Sequence, residues 1–289
     1  MRIAIQGEPG SFSHEAALGV APGATILPCA VSAEVFAAVD EGRADCAVIP
    51  IENSLAGPVA EHYDLLLTQD VAIESESLLR IRHNLIAMPG TKLEQVERVS
   101  SHPVALAQCR GFLAAHPQMQ VVPFYDTAGS VKRLMEQQDA RAAGIASAQA
   151  ARHYGGEILA AGIEDNPQNY TRFFLIRKRN LVRVDPNPDK VSLAFKVENR
   201  PGTLVAALEV FARLGTNLTR IESRPVPGRP WEYVFYADYQ LASPETADEA
   251  IKLLSAHCSM VKELGRYQSA VSDQRPAEKR SATFRPLCE

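Results

Sequence analysis

The stretch VAIESESLLRIRHNLIAMP, residues 71–89, interrupts an otherwise regular alternation of strands and helices. It is the longest strand-like stretch in the chain, and its length exceeds that of an ordinary strand. A later stretch, NYTRFFLI at 169–176, has a polar first half and an apolar second half. We predict that the first stretch carries the chain from one α/β lobe to another. The second stretch would then bring the chain back.

Short apolar runs, each followed by a helical pattern, lie on both sides of residues 71–89. The runs are at 2–6, 25–29, 46–51, 98–102, 121–125 and 142–147. This βα alternation predicts open sheets with helices on both faces. The chain is therefore predicted to form two α/β lobes around a cleft, followed by a further domain.

The further domain follows a basic, proline-rich segment that is typical of a linker. Residues 190–270 show the order βαββαβ, which indicates a ferredoxin-like module. The end of the chain is polar and rich in Ser, Arg, Lys and Pro, so we expect it to be disordered. The predicted boundaries are 1–178 for the two lobes, 179–189 for the linker, 190–270 for the module and 271–289 for the tail.

Composition excludes several classes of function. A net charge of −4 and a pI near 6.0 do not suit nucleic acid, and no apolar run is long enough for a membrane span. No signal peptide is evident, and five scattered cysteines fit a reduced cytoplasmic protein. The seven histidines form no cluster, and neither a GxGxxG nor a Walker A pattern appears. We therefore expect neither a metal nor a cofactor.

Polar clusters follow four of the predicted strands, namely GEPGSFS at 7–13, ENSLAG at 52–57, SSHP at 100–103 and YDTAGS at 125–130. Ligands of open α/β sheets lie beyond the carboxyl ends of the strands, next to helix N-termini. Four such ends, together with the polar start of NYTRFFLI, predict one shared cleft.

The candidate site residues come from these clusters. They are Ser11, Glu52, Asn53, Ser54, Ser101, His102, Asn169, Thr171, Arg172 and Phe173. Each polar residue could instead cap a helix or end a strand, and a lone histidine at a helix start is more often structural. Together they suit a small carboxylate, because hydroxyls, amides and a guanidinium donate to oxygen. On these grounds a cofactor-free lyase or isomerase and a solute-binding or sensor module are both open.

The motifs resemble those of the prephenate dehydratase family. GEPGSFSHEAA, IPIENSLAGPV, SHPVALAQC, YDTA and the spacing from Asp165 through Asn169 to Thr171-Arg172-Phe173 occur in the family's order. NRPGTLVAAL and IESRP resemble the phenylalanine-responsive motifs of an ACT domain. The resemblance implies a two-lobed fold similar to type II periplasmic binding proteins. It also implies a lyase that converts prephenate to phenylpyruvate on the route to phenylalanine.

The resemblance also implies roles for the site residues. Thr171 and Arg172 would be the catalytic residues. Thr171 would stabilise the departing C4 hydroxyl or supply its proton, and Arg172 would favour anions or hold the Asn169–Thr171 turn. The hydroxyls and the amide of Ser11, Asn53, Ser54 and Ser101 would bind substrate oxygens. Glu52 would orient its neighbours, and His102 would have a positioning role or act as a second acid. Two departures concern this cleft: Ser11 replaces a common threonine, and Val104 replaces a common glutamine.

For the ACT domain, the resemblance implies a phenylalanine site at an interface between two copies, in a homodimer or homotetramer. The residues are Asn199, Gly202, Thr203, Leu204, Glu222, Ser223 and Arg224. Thr203 departs from the family motif and could alter the pocket. Without the resemblance, these residues would be interpreted as ordinary polar groups at strand ends. No chorismate mutase segment precedes residue 1, so a monofunctional enzyme is expected. Arogenate dehydratase and a non-catalytic amino-acid sensor are the alternatives.

Overall fold

A computed structural model describes residues 1–226 and 228–270. The strands are β1 (Arg2–Gln6), β2 (Thr25–Cys29), β3 (Cys46–Asn53), β4 (Gly57–Pro58), β5 (Val71–Arg80), β6 (Asn84–Ala87), β7 (Arg98–Ser101), β8 (Gln120–Pro123), β9 (Ala142–Ala146), β10 (Glu157–Ala161), β11 (Tyr170–Lys178), β12 (Lys190–Lys196), β13 (Leu218–Pro225), β14 (Tyr233–Gln240) and β15 (Met260–Tyr267). The helices are α1 (Phe12–Val20), α2 (Ser32–Asp40), α3 (Ala60–Thr68), α4 (Pro103–Ala107), α5 (Arg110–Ala114), α6 (Thr127–Gln137), α7 (Ala148–Tyr154), α8 (Thr203–Arg213) and α9 (Pro244–Ser255).

The first lobe is built on a sheet of order β2-β1-β3-β11-β5, with β4 paired to β3. Strand β1 is parallel to both neighbours, and Ile3 lies between Ile26 and Cys46 in register. Ile3, Ile5 and Ile49 are fully buried, as expected for strands covered on both faces. The parallel arrangement places the loops after β1 and β3 at one edge of this sheet.

The second lobe is built on a sheet of order β10-β6-β9-β7-β8. Strand β7 is parallel to β8 and β9, whereas β6 is antiparallel to β9 and β10. One core of this lobe includes Leu85, Val99, Leu106 and Ile145. The loops after β7 and β8 therefore meet at the same edge, where α4 and α6 begin.

The two stretches that predicted the lobes connect the two sheets. Strand β5 ends at Arg80 in the first sheet, and β6 begins at Asn84 in the second. Strand β11 returns the chain to the first sheet between β3 and β5. The predicted two-lobed α/β fold is confirmed.

Two predicted helices differ from those observed. The pattern after the run at 46–51 predicts a helix from about 57 to 68, but the helix begins at Ala60 because Gly57 and Pro58 pair with β3. The helix expected after SSHP is broken into α4 and α5. The break is stabilised by Asp165, whose carboxylate accepts from the backbone N–H of Arg110 and Gly111 at 3.0 and 2.8 Å. This second cap leaves Gln108 between the helices.

The C-terminal module has the predicted βαββαβ order, from β12 to β15. Its antiparallel sheet has the order β13-β14-β12-β15, so β13 and β15 are edge strands. Its core includes Leu193, Phe195, Phe211 and Tyr239. The ferredoxin-like prediction is confirmed. The predicted tail at 271–289 lies outside the described residues. The PGRP sequence at 227–230 predicts a turn, and its first residue also lies outside them.

The described chain divides into two compact units. The first contains Met1–Val59 and Ser77–Phe173, and the second contains Ala60–Glu76 and the described chain from Phe174 onward. Helix α3 therefore belongs to the unit that contains the C-terminal module. None of the helices within 1–226 and 228–270 has the length and apolar character needed to cross a membrane.

Candidate active site

A cleft of about 940 Å³ lies within the first unit. Its walls come from the loops after β1 and β3, from α4, from the start of α6 and from β11. The size suits a small molecule. Among the described residues that line it, none is a lysine or an arginine. An anionic ligand in this cleft would therefore depend on neutral hydrogen-bond donors.

The orientation of the Asn53 amide is determined by the backbone. The N–H groups of Leu55 and Ala56 donate to Asn53 Oδ1 at 3.0 and 2.8 Å. A backbone N–H can only donate, so the oxygen of this amide must face the loop. Asn53 Nδ2 then faces β11, where it donates to Asn169 Oδ1 at 2.7 Å and to Thr171 Oγ1 at 2.9 Å.

The orientation of the Asn53 amide determines the hydrogen bonds of the neighbouring side chains. Asn169 Oδ1 is an acceptor, so Asn169 Nδ2 donates to Gln108 Oε1 at 2.9 Å. His83 Nε2 also lies 2.8 Å from Gln108 Oε1 and must carry a proton to donate to it. Gln108 Nε2 lies 3.5 Å from Asn53 Oδ1 and closes a ring of polar groups.

Thr171 lies where this hydrogen-bond network meets the cleft. Its Oγ1 accepts from Asn53 Nδ2, and within the described residues its own hydrogen has no acceptor. Thr171 lines the cleft although its exposed fraction is only 8%. The network therefore presents the Thr171 O–H to the cleft as a hydrogen-bond donor.

Two further predicted residues line the cleft as helix caps. Ser11 Oγ accepts from His14 N at 3.3 Å at the start of α1. His102 Nδ1 accepts from Val104 N at 3.2 Å at the start of α4, so a neutral His102 carries its proton on Nε2. Because both caps accept from the backbone, Ser11 O–H and His102 Nε2–H are donors available to a ligand.

Arg172, which we predicted to be catalytic, is not among the lining residues. Thr171 and Phe173 line the cleft, whereas Arg172 lies between them on β11. Successive side chains of a strand point to opposite faces, which explains this placement. Arg172 Nη1 lies 4.0 Å from the carboxylate of Glu52, another predicted site residue outside the lining. The pair lies on the side of the strand that faces away from the cleft.

Ser54 and Ser101 also lie outside the lining. Ser54 Oγ accepts from Tyr170 N at 3.0 Å and lies 3.2 Å from Gln168 O, so it supports the loop before β11. Ser101 is fully buried and donates to Ile145 O at 2.6 Å across the second sheet. Both hydroxyls hold backbone segments near the cleft.

Two residues that line the cleft, Gln108 and His83, were not among the predicted site residues. Gln108 follows SHPVALA, inside a stretch that the sequence predicts to be one continuous helix. A glutamine at a helix break is only a weak signal of a site residue. His83 lies in the crossover between β5 and β6 and is 2% exposed. Burial lowers the pKa of His83, so its ring is neutral at neutral pH.

Acidic groups at the rim were also missed. Glu8 accepts from Tyr125 Oη at 2.9 Å and from Lys132 Nζ at 3.1 Å, and these two residues belong to the second lobe. Asp126 caps α6 by accepting from Gly129 N at 2.7 Å. Burial, and then the nearby Glu8 carboxylate, raise the pKa of Asp126. The rim of the cleft therefore carries two carboxylates.

The loop after β1 also packs closely on the second lobe at Gly10. Gly10 has a φ of +89°, and a Cβ there would lie 2.8 Å from the Cα of Ala150. Ser147 Oγ donates to Gly10 O at 2.7 Å. Only glycine fits both the backbone conformation and this approach, so the two lobes meet at Gly10.

The predicted effector residues lie on two parts of the C-terminal module. Gly202, with a φ of +85°, and Thr203 start α8, and Thr203 Oγ1 lies 2.6 Å from Glu198 O. Asn199 and Leu204 flank this turn, and Glu222, Ser223 and Arg224 lie on the edge strand β13. The guanidinium of Arg224 binds both carboxylate oxygens of Asp64 on α3, at 3.0 and 2.7 Å.

Comparisons with known proteins agree with this architecture. The family model for prephenate dehydratase matches residues 3–181, and the ACT domain model matches residues 191–252. A bifunctional chorismate mutase/prephenate dehydratase of Aquifex aeolicus is 39% identical, over 94% of this chain and 74% of that relative. Arogenate dehydratase 2 of Petunia hybrida is 38% identical, over 93% of this chain and 72% of its own length.

Two solved structures are similar over almost the whole chain. Prephenate dehydratase from Arthrobacter aurescens, in complex with L-Phe, is 34% identical with a TM-score of 0.84, over 96% of this chain and 92% of that one. A structure described as GqqA, a novel type of quorum quenching acylase, is 36% identical with a TM-score of 0.85, over 93% and 98% of the two chains. The match of the family model to more than half of the residues, together with the first relative, shows that the chain belongs to the prephenate dehydratase family and is a lyase with a C-terminal ACT domain.

Proposed function

We propose that this chain converts prephenate to phenylpyruvate, carbon dioxide and water in phenylalanine biosynthesis, and that phenylalanine regulates it through the ACT domain. In the reaction, the ring carboxylate leaves as carbon dioxide and its electron pair moves into the ring. The C4 hydroxyl leaves as hydroxide, which takes up one proton to become water. Aromatisation of the ring supplies most of the driving force.

One observation carries this proposal: the polar chain that ends at Thr171 has a defined direction. Asn53 Nδ2 donates to Thr171 Oγ1, so the Thr171 O–H is directed to an acceptor in the cleft. The oxygen of the departing C4 hydroxyl is such an acceptor, and its charge grows in the transition state. A preorganised donor at that oxygen lowers the barrier because it binds the transition state more strongly than the substrate.

Neutral donors serve the remaining oxygens of the substrate. Ser11 O–H and His102 Nε2–H line the cleft, and each is oriented by a backbone N–H. The departing carboxylate loses its charge in the reaction. The cleft wall includes Phe12, Ile81 and Phe173, and none of its described lining residues is a lysine or an arginine. Such a wall favours the loss of the carboxylate's charge over retention of the anion.

For Arg172, Glu52, Ser54 and Ser101 we propose supporting roles. Arg172 and Glu52 face each other outside the cleft lining, and the two serines hold backbone segments. None of these four needs to touch the substrate. Their expected effect on catalysis is therefore smaller than that of Thr171.

A second candidate substrate is arogenate, which carries an ammonium group where prephenate carries a ketone. The two carboxylates at the rim, Glu8 and Asp126, favour a cationic group. Glu8 already pairs with Lys132, and burial makes Asp126 easier to protonate, so their attraction for an ammonium is reduced. We therefore rank prephenate first.

The direct test is turnover by the purified full chain. With prephenate, we expect product that absorbs in alkali as phenylpyruvate does, and with arogenate we expect slower release of phenylalanine. Both substrates are assayed at equal concentration, and kcat/KM values are compared. Faster turnover of arogenate than of prephenate would make arogenate the preferred substrate. If neither phenylpyruvate nor phenylalanine forms at micromolar enzyme, the proposed reaction is contradicted.

For regulation, we propose that Arg224 connects the effector site with α3. Helix α3 follows β4, the short strand that comes after Asn53 at the end of β3, and side chains of the ACT sheet hold it. Tyr236 Oη donates to Tyr63 O at 3.1 Å, and Lys262 Nζ donates to the last carbonyls of the helix, including Leu66 O at 3.0 Å. Arg224 completes these contacts through Asp64.

Replacement of Arg224 by alanine should weaken the response to phenylalanine and leave basal turnover nearly unchanged. Allosteric coupling usually amounts to a 5- to 150-fold change in affinity, so we expect a shift of the half-effective phenylalanine concentration of about tenfold or more. The measurement is a phenylalanine titration of turnover. Arg213→Ala, which removes an exposed ion pair on α8, is the control. An unaltered titration in Arg224→Ala would contradict this role.

We propose a homodimer or homotetramer as the active assembly. The two groups of effector residues lie at the start of α8 and on β13, and β14 separates β13 from β12, the strand that leads to α8. A site that uses both groups is therefore supported best by two copies, with the edge strand β13 as a pairing surface. The cytoplasmic location stays a prediction from the sequence.

A further inference from the structure

One ring nitrogen of His83 has a hydrogen-bond partner, and the other has none within the described residues. Its Nε2 lies 2.8 Å from Gln108 Oε1. Its Nδ1 is buried and has no hydrogen-bond partner within the described residues. The ring packs edge-on against Phe12, with 5.5 Å between ring centres. An unpartnered nitrogen in a buried ring is unusual and calls for an explanation.

The polar chain explains which nitrogen carries the proton. Gln108 Oε1 accepts from Asn169 Nδ2 and must face His83 as an acceptor, so His83 is a donor at Nε2. In a neutral ring Nδ1 is then unprotonated and needs no acceptor. A second proton on Nδ1 would create a buried donor without a partner. Glu164 accepts from the backbone N–H of His83 at 2.9 Å and is not bonded to Nδ1.

We propose that His83, as the neutral Nε2–H tautomer, is a positioning residue for the dehydration: it holds Gln108 Oε1 toward Asn169, and so keeps Asn169 Oδ1 on the Asn53 amide that orients Thr171. The inference rests on the proposed function only for its kinetic consequence. His83 itself does not need to touch the substrate. If the Gln108 amide were reversed, its NH₂ group would face Asn169 Nδ2, and two donors would oppose each other.

Different histidines of the same chain should carry different tautomers. His83 should be protonated at Nε2, and so should His102, whose Nδ1 accepts from Val104 N. His116 Nδ1 lies 2.8 Å from Phe112 O and must donate to that carbonyl, so His116 should be protonated at Nδ1. His116 therefore provides an internal reference of the opposite tautomer.

The first arm of the test uses nitrogen NMR of the wild-type chain with ¹⁵N-labelled histidine and needs no substrate. The resonances of His83 are identified by their loss in His83→Gln. We expect a protonated Nε2 and an unprotonated Nδ1 at neutral pH, opposite to His116. A protonated Nδ1 on His83 would overturn the proposal whether or not the chain turns over prephenate.

The second arm measures kinetics in two variants. His83→Leu removes the donor, and we expect kcat to fall by up to about 100-fold with little change in KM, since misplaced catalytic groups cost this much. His83→Gln keeps an N–H donor near the position of Nε2 and should retain most of the turnover. Equal loss in both variants, or wild-type kcat in His83→Leu, would reduce His83 to a packing residue and overturn the proposal. A wild-type chain that shows the expected tautomer but no turnover would instead contradict the proposed function.

Discussion

Replacement of Thr171 by valine should lower kcat by about 10²- to 10³-fold, the usual loss when one preorganised donor is removed from a developing oxyanion. Valine has nearly the same shape as threonine, so the packing of β11 should be kept while the O–H is lost. The hydroxyl contacts the leaving oxygen, whose charge grows only in the transition state. KM should therefore change much less than kcat.

The measurement is the steady-state kinetics of prephenate turnover, with thermal unfolding as a check on folding. Thr171→Ser retains the hydroxyl and is the matched control, and it should keep a large part of the wild-type kcat. Arg172→Ala changes the neighbouring residue outside the cleft lining and should have a smaller effect on kcat. A kcat in Thr171→Val close to that of the wild type would remove Thr171 from the chemistry.

Replacement of Asn53 by aspartate should also lower kcat, by about 10²-fold. The substitution keeps an oxygen for the N–H groups of Leu55 and Ala56 but replaces the donor Nδ2 by an acceptor. The new oxygen would face Asn169 Oδ1 and Thr171 Oγ1, which are now 2.7 and 2.9 Å from Nδ2. Thr171 would then turn its O–H toward the new carboxylate and away from the substrate.

This prediction has a distinctive dependence on pH. The protonated form of the new carboxyl group can donate again, so the activity of Asn53→Asp relative to wild type should rise as the pH is lowered. Asn217→Asp, which changes an exposed amide of the ACT domain, is the matched control and should not alter kcat. The double variant Asn53→Asp/Thr171→Val should be little worse than the poorer single variant, because both act through one hydroxyl. If the losses of kcat in the two single variants were fully additive, Asn53 and Thr171 would not act through one hydroxyl.

The two-lobed fold was predictable because its signals are local. Alternating apolar runs and helical patterns identify βα units, and a strand of unusual length at 71–89 indicates a crossover between sheets. The same holds for the ACT module, whose six elements lie in order within about 80 residues. The break between α4 and α5 was not predictable, because the cap that stabilises it comes from Asp165, more than fifty residues away along the chain.

The candidate site was predictable as a region. The polar strand ends do meet at one cleft, and Ser11, Asn53, His102, Thr171 and Phe173 line it. Adjacent residues of a motif were predicted together although a strand sends them to opposite faces, and Arg172 is the example. Their roles in catalysis stay predictions.

By itself, the sequence determined the fold class, the order of the two domains and the strand ends at which polar side chains gather, because periodicity and turn chemistry act over a few residues. Only the tertiary structure decided which of these side chains touch. It joined Asn53, His83, Gln108, Asn169 and Thr171, which four separate segments of the chain provide. It also decided the direction of their hydrogen bonds. The backbone N–H groups of residues 55 and 56 can only donate, and that constraint passes through the Asn53 amide to the hydroxyl of Thr171, and through Asn53, Asn169 and Gln108 to His83.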